Sequence, residues 1–179
     1  MKEIALPLVT ARPATAVGEE AVRFQRLWDD CYAAVHAHAA RRVGSARAEE
    51  VCSEVFLIAW RRIDAIPGDA LPWLLATSRN VIGTFWRGDA RRDRLRDRLE
   101  ELPPEHAADE LDAPDPELRA ALAQLDEPDR ELLLLVYWDD LTPSRAAKAL
   151  GLAPATARTR LWRLRRRLAD VLAHEEDAR

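Results

Sequence analysis

The stretch Leu141–Leu168 reads LTPSRAAKALGLAPATARTRLWRLRRRL, and this pattern predicts a helix-turn-helix. Thr142 can cap the first helix, and the proline after it suits a first helical turn, where its missing N–H leaves no bond unmade. Gly151 supplies the residue that can take a positive φ where that helix ends. At 100° per residue, the second helix has one apolar face, formed by Ala157, Leu161, Leu164 and Leu168.

The opposite face of this second helix is basic. Six arginines and no acid lie between positions 158 and 167, whereas a helix that is merely solvated usually mixes charges to gain i,i+4 pairs. Such a helix can enter the major groove, where arginine reaches guanine edges or phosphates. The residues expected to contact DNA from this face are Arg158, Thr159, Trp162, Arg163 and Arg166.

Charge is strongly segregated along the chain, although the net charge of the 179 residues is only −4. Six arginines and three aspartates lie between positions 87 and 98, and eight acids without a lysine or arginine lie between positions 100 and 117. The helix quoted above is basic again. The pattern predicts two nucleic-acid surfaces separated by an acidic linker.

The composition, poor in glycine and rich in alanine, leucine and arginine, predicts an all-α fold. We expect a disordered tail over residues 1–20, a helical domain over 21–98, a flexible acidic, proline-rich linker over 99–116 and a helical domain over 117–179. Both domains are small but sufficient for a helical core, and a linker of about 20 residues could reach roughly 65 Å when extended. The predicted helices are Glu20–Val43, Arg47–Ile63, Leu71–Arg98, Glu117–Leu125, Pro128–Trp138, Pro143–Leu150 and Pro154–Ala173.

Several classes of function are excluded by what the sequence lacks. It contains no metal-ligand spacing, glycine-rich phosphate loop or nucleophile motif, so we expect no enzyme activity, no metal and no cofactor. Cys31 and Cys52 form neither a disulfide framework nor a zinc site, and His36 and His38 fall on different helix faces as ordinary surface or core residues. No apolar run reaches the length of a membrane span and no secretory signal is recognisable, so a cytoplasmic location is expected.

The segment Glu49–Arg62, EEVCSEVFLIAWRR, has a core stripe of Val51, Val55 and Ile58. Three large apolar residues fall outside that stripe, on the far side of the helix or beside it. They indicate either burial on all sides or a docking surface for a partner. These residues are Phe56, Leu57 and Trp60.

The segment Leu71–Arg87, LPWLLATSRNVIGTFWR, predicts a second nucleic-acid surface. Arginine and asparagine can hydrogen-bond bases, and tryptophan can stack on an unpaired base. Trp73 and Phe85 are expected in the core, whereas Trp86 can be either core or a stacking residue. The inward face comprises Leu74, Ser78, Val81, Ile82 and Phe85. The outward face comprises Arg79, Asn80, Gly83, Arg87 and the adjacent Trp86, with Arg91, Arg92 and Arg94 as phosphate contacts.

A turn precedes this helix, marked by Pro67, Gly68 and Asp69 in the stretch Ile63–Ala70. A loop beside an arginine- and asparagine-bearing helix could hold a flipped-out base, which requires a pocket and must offset a few kcal/mol of unstacking. The sequence therefore marks the loop as a candidate base-binding site.

Three motifs in fixed order resemble the extracytoplasmic-function (ECF) group of bacterial RNA polymerase sigma factors. Glu49–Trp60, EEVCSEVFLIAW, is similar to the family's AEDLVQEVFLRAW, and Trp73–Trp86, WLLATSRNVIGTFW, is similar to WLYRIARNLALDHLR. Leu125–Leu168 resembles the family's fourth region, LPxxxREVLLLRYxEGLSxxEIAxxLGISxGTVKSRLxRARxxL. The resemblance covers about residues 22–173.

The resemblance implies partners and a role for each matching residue. The partners would be core RNA polymerase, through the clamp helices of its largest subunit and the flap of its second-largest, and promoter DNA. An anti-sigma protein would be a further partner. The resemblance implies polymerase binding for Glu50, Ser53 and Glu54, and Leu57 completes the expected polymerase contacts. It implies binding of the −10 element for Arg79, Asn80 and the loop residues Asp64, Pro67, Gly68 and Asp69, and the outward face of the same helix adds Gly83, Trp86 and Arg87. It implies binding of the −35 element for Arg158, Thr159, Trp162 and Arg163, and the basic face adds Arg166.

The sequence departs from the family pattern at a few positions. Ser53 stands where glutamine is usual, which weakens the expectation of a polymerase contact there. The pair Ala146-Ala147 replaces a common Glu-Ile-Ala, and Gly83 and Thr84 are unusual within the −10 helix. The acidic linker matches the segment that threads the polymerase channels in the family.

Two other classes of function compete with this one. A stand-alone helix-turn-helix regulator would bind a palindromic duplex without polymerase. A protein-interaction adaptor would use the basic helix to bind acidic partners, without DNA preference. The regulator does not explain the Glu50–Glu54 segment or the acidic linker, and the adaptor predicts only a weak effect of sequence changes.

Overall fold

The computed structural model describes residues 14–97 and 116–177, with side chains for 18–89, 91 and 118–170. Within those ranges the chain forms seven helices and no strand, so the all-α prediction is confirmed. The first module contains α1 (Ala14–Val43), α2 (Ser45–Arg61) and α3 (Leu71–Asp97). The second contains α4 (Pro116–Ala123), α5 (Glu127–Tyr137), α6 (Pro143–Leu150) and α7 (Pro154–Asp177).

The first helix begins earlier than expected. Helix α1 starts at Ala14, so the prediction of a disordered tail over residues 1–20 is wrong for residues 14–20. Four of those seven residues are alanine or glutamate, which are strong helix formers. They carry no apolar periodicity, but a helix that is already nucleated can be extended without it. Residues 1–13 and the predicted linker positions up to 115 lie outside the described residues.

The three helices of the first module all contact one another, and α2 packs against both α1 and α3. In the predicted stripe, Val51 and Val55 are buried and Ile58 is partly buried. Cys52, Phe56 and Ala59 are also buried, on a second side of the helix. For Phe56 the alternative of burial outside the core stripe is therefore confirmed. Its ring lies among those of α1, with centroid distances of 6.2 Å to Phe24, 4.6 Å to Trp28 and 5.9 Å to Tyr32.

The inward face of α3 is arranged as the sequence predicts. Leu74, Ser78, Val81 and Ile82 are buried, and Phe85 is partly buried against the core. Trp73 also packs partly buried against that core, which confirms the prediction for both aromatic residues.

The second module is a helix-turn-helix preceded by two helices. The Thr142 side chain accepts a hydrogen bond from the Arg145 amide at the start of α6, and Gly151 ends that helix in the left-handed region at φ 65°. Ala157, Leu161 and Leu164 of α7 are buried against the preceding helices. The capped helix, glycine turn and amphipathic second helix are thus confirmed.

Candidate nucleic-acid interface

The basic face of α7 is open to solvent. All five recognition-face residues are exposed, and Trp162 at 61% is the most exposed large apolar side chain among those that the structure describes. The guanidinium of Arg166 lies 5.9 Å from the centroid of the Trp162 ring, close enough for a cation–π contact. Thr159 Oγ1 donates to the Ala155 carbonyl at 3.1 Å, so its hydroxyl already has a partner within the helix. The face thus offers a flat aromatic surface beside arginines.

Two of the six arginines in α7 hold the helix in place. Arg165 Nε donates to the Tyr137 hydroxyl, and its guanidinium lies 5.5 Å from the centroid of that ring. Arg160 lies 3.7 Å from an Asp129 carboxylate oxygen. Both partners belong to α5. In the described part of the chain no acid pairs with Arg158 or Arg163, so these two remain available for an external anion.

The outward face of α3 contains a half-exposed tryptophan. Trp86 is 49% exposed, so the alternative in which it fills the core is ruled out. Asn80 and Arg87 are exposed and Arg79 is partly exposed on the same helix. A ring held at the surface beside amide and guanidinium groups can stack on an unpaired base while those groups reach its edges.

Arg87 is oriented by its own helix. Its NH2 group donates to Thr84 Oγ1 at 2.9 Å, and that hydroxyl in turn donates to the Asn80 carbonyl at 3.0 Å. Gly83 leaves room for this arrangement, because a Cβ there would lie 3.3 Å from Arg87 NH1. Arg91 is exposed and donates to the Arg87 carbonyl. The side chains of Arg92 and Arg94 lie outside the described residues.

The loop between α2 and α3 is anchored at both ends and open in the middle. Ile63 and Ile66 are buried, a short 3₁₀ turn spans Ile63–Ala65, and Arg23 NH2 donates to the Ile66 carbonyl at 2.7 Å. The candidate loop residues, all exposed, are Asp64, Pro67, Gly68 and Asp69. The loop therefore presents polar groups on a fixed base beside the N-terminus of α3.

The candidate polymerase-binding residues share one exposed face of α2. Their spacing of three, one and three residues puts them on one side of the helix. Leu57 is 41% exposed, and Trp60, one turn further, is 37% exposed. Of the three apolar residues outside the core stripe, only Phe56 is buried, so the other two leave an apolar surface. This face is formed by Glu50, Ser53, Glu54, Leu57 and Trp60.

The structure also contains a charged cluster that sequence reasoning missed. The C-terminal end of α1 contacts α5 and the turn that follows α5. His38 Nδ1 lies 3.0 Å from Asp139 Oδ2, and Arg41 donates to the other oxygen of that carboxylate. Arg42 donates to both carboxylate oxygens of Glu131 at 3.0 Å. The sequence offers no signal for this cluster beyond the Arg41-Arg42 and Asp139-Asp140 pairs.

Burial perturbs the ionisation of the central pair in this cluster. Burial lowers the pKa of His38, and the hydrogen bond to Asp139 only partly opposes it. For Asp139, burial acts to raise the pKa, but the hydrogen bond to His38 and the nearby arginines outweigh it and the pKa is lowered. The carboxylate thus stays charged, and the imidazole favours its neutral form.

Two structural features are absent from the described parts of the chain. No group of His, Cys, Asp and Glu there could hold a metal ion. No helix among those residues has the length and apolar character needed to cross a membrane.

Two family models match the chain. The sigma-70 region 2 model matches residues 27–92, and the sigma-70 region 4 model matches residues 116–168. The first match contains the candidate faces of α2 and α3, and the second contains the helix-turn-helix.

Named relatives agree with these matches. The ECF RNA polymerase sigma factor SigL of Mycobacterium tuberculosis is 31% identical over 158 residues, which cover 84% of this chain and 89% of SigL. EcfG of Rhodopseudomonas palustris is 34% identical over 82% of this chain and 84% of its own length. The probable sigma factor RfaY of Xanthomonas campestris is 33% identical over 74% of this chain, but the match spans only 36% of RfaY.

Two solved structures share the fold. CnrH, in a complex with the cytosolic domain of CnrY, gives a TM-score of 0.60 at 21% identity, over 90% of this chain and 94% of that one. The sigma factor RpoE of Bartonella quintana, in a complex with the anti-sigma factor NepR, gives 0.50 at 20% identity, over 90% and 98%.

Proposed function

The chain belongs to the ECF group of sigma-70 RNA polymerase sigma factors, and from this premise we propose that it gives core RNA polymerase its promoter specificity. The family acts in transcription initiation and is not catalytic. The proposed function assigns the −10 element to α3 with its preceding loop and the −35 element to α7. One observation carries it: each module presents an exposed face in which tryptophan lies beside arginine, at Trp86 and at Trp162.

Recognition of the −35 element would use duplex DNA. Arg158 and Arg163 are exposed on α7 and have no acidic partner among the described residues, so they can approach guanine edges or phosphates. Trp162 and Thr159 lie on the same face and add apolar contact surface. Arg166, stacked over Trp162, is assigned to the phosphate backbone.

Recognition of the −10 element would use unpaired bases. Trp86 can stack on a base, and Arg79, Asn80 and Arg87 can bind its edges and the backbone. The loop residues Asp64, Pro67, Gly68 and Asp69 would line the pocket for a flipped base. Because the protein would bind unstacked bases, it would bind melted promoter DNA more tightly than duplex DNA. This difference in binding energy would drive melting of the DNA, and no nucleotide hydrolysis by the protein would be needed.

Attachment to polymerase would use the exposed face of α2. The acids Glu50 and Glu54 flank the apolar surface of Leu57 and Trp60, and apolar patches rimmed by charge are typical of protein interfaces. We assign the clamp helices of the largest subunit to this face and the flap of the second-largest to the second module. Glu50, Ser53, Glu54 and Leu57 are the proposed contacts. The work would take place in the cytoplasm, with residues 21–98 and 117–179 as the two domains.

An anti-sigma protein is a further proposed partner. Solved structures of similar fold were obtained in complexes with CnrY and with the anti-sigma factor NepR. The exposed apolar face of α2 on this chain is a suitable surface for such a partner.

Run-off transcription with bacterial core polymerase on a random promoter library tests the proposal. We expect transcripts that start downstream of one enriched two-part motif only when this protein is added. Binding to duplex DNA alone, without any enriched motif, would instead indicate a stand-alone regulator. Failure in both assays, with the protein free of bound inhibitor, would indicate an adaptor.

A further inference from the structure

The Arg87 side chain is folded back over its own helix. Its NH2 group donates to Thr84 Oγ1 at 2.9 Å, and its NH1 group lies above Gly83, where a Cβ would be only 3.3 Å away. The Thr84 hydroxyl has a fixed direction, because it donates its own proton to the Asn80 carbonyl at 3.0 Å. Its lone pairs are therefore free to accept from the guanidinium. The orientation of Arg87 thus depends on a hydroxyl at 84 and on space at 83.

Both positions depart from the ECF pattern. In WLYRIARNLALDHLR, leucine stands where this chain has Gly83, and aspartate stands where it has Thr84. A leucine side chain would take the space that Arg87 NH1 occupies. An aspartate would neutralise the guanidinium, whereas a hydroxyl orients it and leaves its charge available. Among the side chains that the structure describes, no acid pairs with Arg87.

Gly83 lowers the stability of α3 without any need of the backbone for glycine. Glycine in a helix interior is less favourable than alanine, and α3 continues as a regular helix past this position to Asp97. Outside the helix backbone, the one described atom within 4 Å of a Cβ at this position belongs to Arg87. The space that Gly83 leaves is therefore used by the guanidinium.

The same turn of the helix lies beneath Trp86. Long side chains of a helix lean toward its N-terminus, so those of Trp86 and Arg87 both lean over the turn that contains Gly83. The Trp86 ring is 49% exposed. A base stacked on this ring would bring its edge to the adjacent guanidinium.

A guanidinium held in one orientation can select among bases. Arg87 gives one of its five N–H groups to Thr84, which leaves one parallel pair of donors intact. Unpaired guanine offers O6 and N7, and unpaired cytosine offers N3 and O2, as two adjacent acceptors. On adenine and thymine a donor adjoins the corresponding acceptor. The parallel donors therefore fit guanine and cytosine better.

We propose that Gly83 and Thr84 are positioning residues, which hold the Arg87 guanidinium beside Trp86 so that it selects an unpaired guanine or cytosine over adenine and thymine. The inference rests on the proposed function, because it assigns a base preference to the −10 surface of α3. A phosphate contact needs the charge of Arg87 but no fixed orientation, so it is the competing outcome of the test.

The orientation can be measured by NMR on the full chain without polymerase. The heteronuclear NOE of the Arg87 Nε–H group reports whether the guanidinium is fixed on the ps–ns timescale, and Arg87→Lys assigns its signal. We expect a high value in the wild type and in Thr84→Ser, which keeps the hydroxyl. Thr84→Val has the same shape without the hydroxyl and should give a low value. Gly83→Ala should do the same, because its Cβ displaces NH1.

Gly88→Ala is the matched control for Gly83→Ala. Gly88 also lies in α3, but nothing is within 4 Å of its Cβ position. Each substitution replaces a helical glycine and should raise the melting temperature by about 3–6 °C. Gly83→Ala should thus be more stable than the wild type and less selective, a combination that a purely structural role for Gly83 excludes.

Base preference is measured by run-off transcription with bacterial core polymerase on the random promoter library. Arg87→Ala identifies the position that Arg87 reads, because the preference there disappears. At that position the wild type should favour guanine or cytosine by about tenfold or more, as expected for a bidentate contact. Thr84→Val and Gly83→Ala should each reduce this preference about threefold to tenfold, the loss of one hydrogen bond. Thr84→Ser and Gly88→Ala should match the wild type.

The outcomes separate the positioning residues from the proposed function. A low NOE in the wild type, or equal values in all variants, overturns the positioning. A released guanidinium with unchanged base preference, or with equal loss on every sequence, overturns the selectivity and makes Arg87 a phosphate contact. A preference for adenine or thymine at the Arg87 position overturns the acceptor rule. Release in the variants without any enriched motif for the wild type rejects the proposed function and leaves the positioning standing.

Discussion

His38 Nδ1 lies 3.0 Å from a carboxylate oxygen of Asp139, which is 101 residues further along the chain. His38 is fully buried, and its other ring nitrogen, Nε2, has no hydrogen-bond partner in the described structure. Protonation would therefore bury an unpartnered N–H together with a charge, which explains why burial lowers the pKa of His38.

This pair predicts that the contact between the two modules, here called docking, becomes less stable on mild acidification. When the modules separate, His38 regains a pKa near its ordinary value of 6.5. Between that value and its lowered pKa, the separated form binds more protons than the docked form, so docking loses stability as the pH falls through this window. We expect the radius of gyration to increase from about pH 7.5 to about pH 5.5.

The control for this prediction is His38→Gln, which removes the titrating group and keeps a hydrogen-bond donor. The other charged groups that face His38 are Arg41, Arg42, Glu131 and Asp139. The pKa of Asp139 is lowered, so that carboxylate does not titrate in this window. A wild type that becomes more compact on acidification, or a variant with the same pH profile, would contradict the assignment.

Phe56 and Leu57 are neighbours in sequence with opposite roles, so they form a matched pair for mutation. Phe56→Ala should lower the free energy of unfolding by about 3–5 kcal/mol, because it leaves a cavity among the α1 rings. Leu57→Ala should cost clearly less, about 1 kcal/mol, since Leu57 is 41% exposed and its truncation leaves no enclosed cavity. Urea unfolding measures both.

Leu57→Ala should nevertheless weaken binding to core polymerase, by about tenfold for an apolar contact worth roughly 1.4 kcal/mol. Binding competition against the wild type measures this loss. Unchanged affinity in the folded variant would remove Leu57 from the proposed polymerase interface.

Arg163 and Arg166 should differ in what they contribute to DNA binding. Arg163→Ala should cost about 1–3 kcal/mol and relax discrimination at one position of the −35 element, as expected for a base contact. Arg166→Ala should weaken binding to all sequences alike and reduce the slope of log affinity against log salt by about one. Binding to duplexes mutated at each position distinguishes them. A uniform loss with both variants would reject base reading by Arg163.

Trp86 should matter more for promoter opening than for folding. Because its ring is half exposed, Trp86→Ala should lower the melting temperature less than Phe56→Ala, which removes a buried ring. It should lower open-complex formation by the equivalent of about 1–3 kcal/mol, the usual contribution of stacking one base. Trp86→Phe keeps an aromatic face and should recover part of the activity. Permanganate footprinting of unpaired thymines provides the measurement, and full activity of Trp86→Ala would exclude stacking.

The helix-turn-helix could be predicted from sequence because its determinants are local. Thr142 caps α6, which begins at the next residue, and Gly151 ends that helix. The apolar spacing of α7 requires only one packed face. The burial of Phe56 was left open by the sequence because a helical wheel assigns one inner face, whereas α2 contacts both α1 and α3 and buries two sides.

The docking of the modules could not be predicted from sequence. Arg41 and Arg42 have a sufficient local explanation, since basic residues at a helix C-terminus interact favourably with its dipole. The acids that they contact lie about 90 to 100 residues away, and no periodicity connects the two segments. The exposure of Trp86, similarly, depends on what packs beside α3 and not on its position along the helix.

The ion pairs between the modules also bear on how the protein would respond to salt. The Arg145–Asp69 pair is about one third exposed on both sides, so dissolved ions weaken it as the ionic strength rises. The Arg42–Glu131 pair is about nine-tenths buried on both sides, and buried pairs are screened much less. At high salt the contact between the modules would therefore depend mainly on the buried cluster.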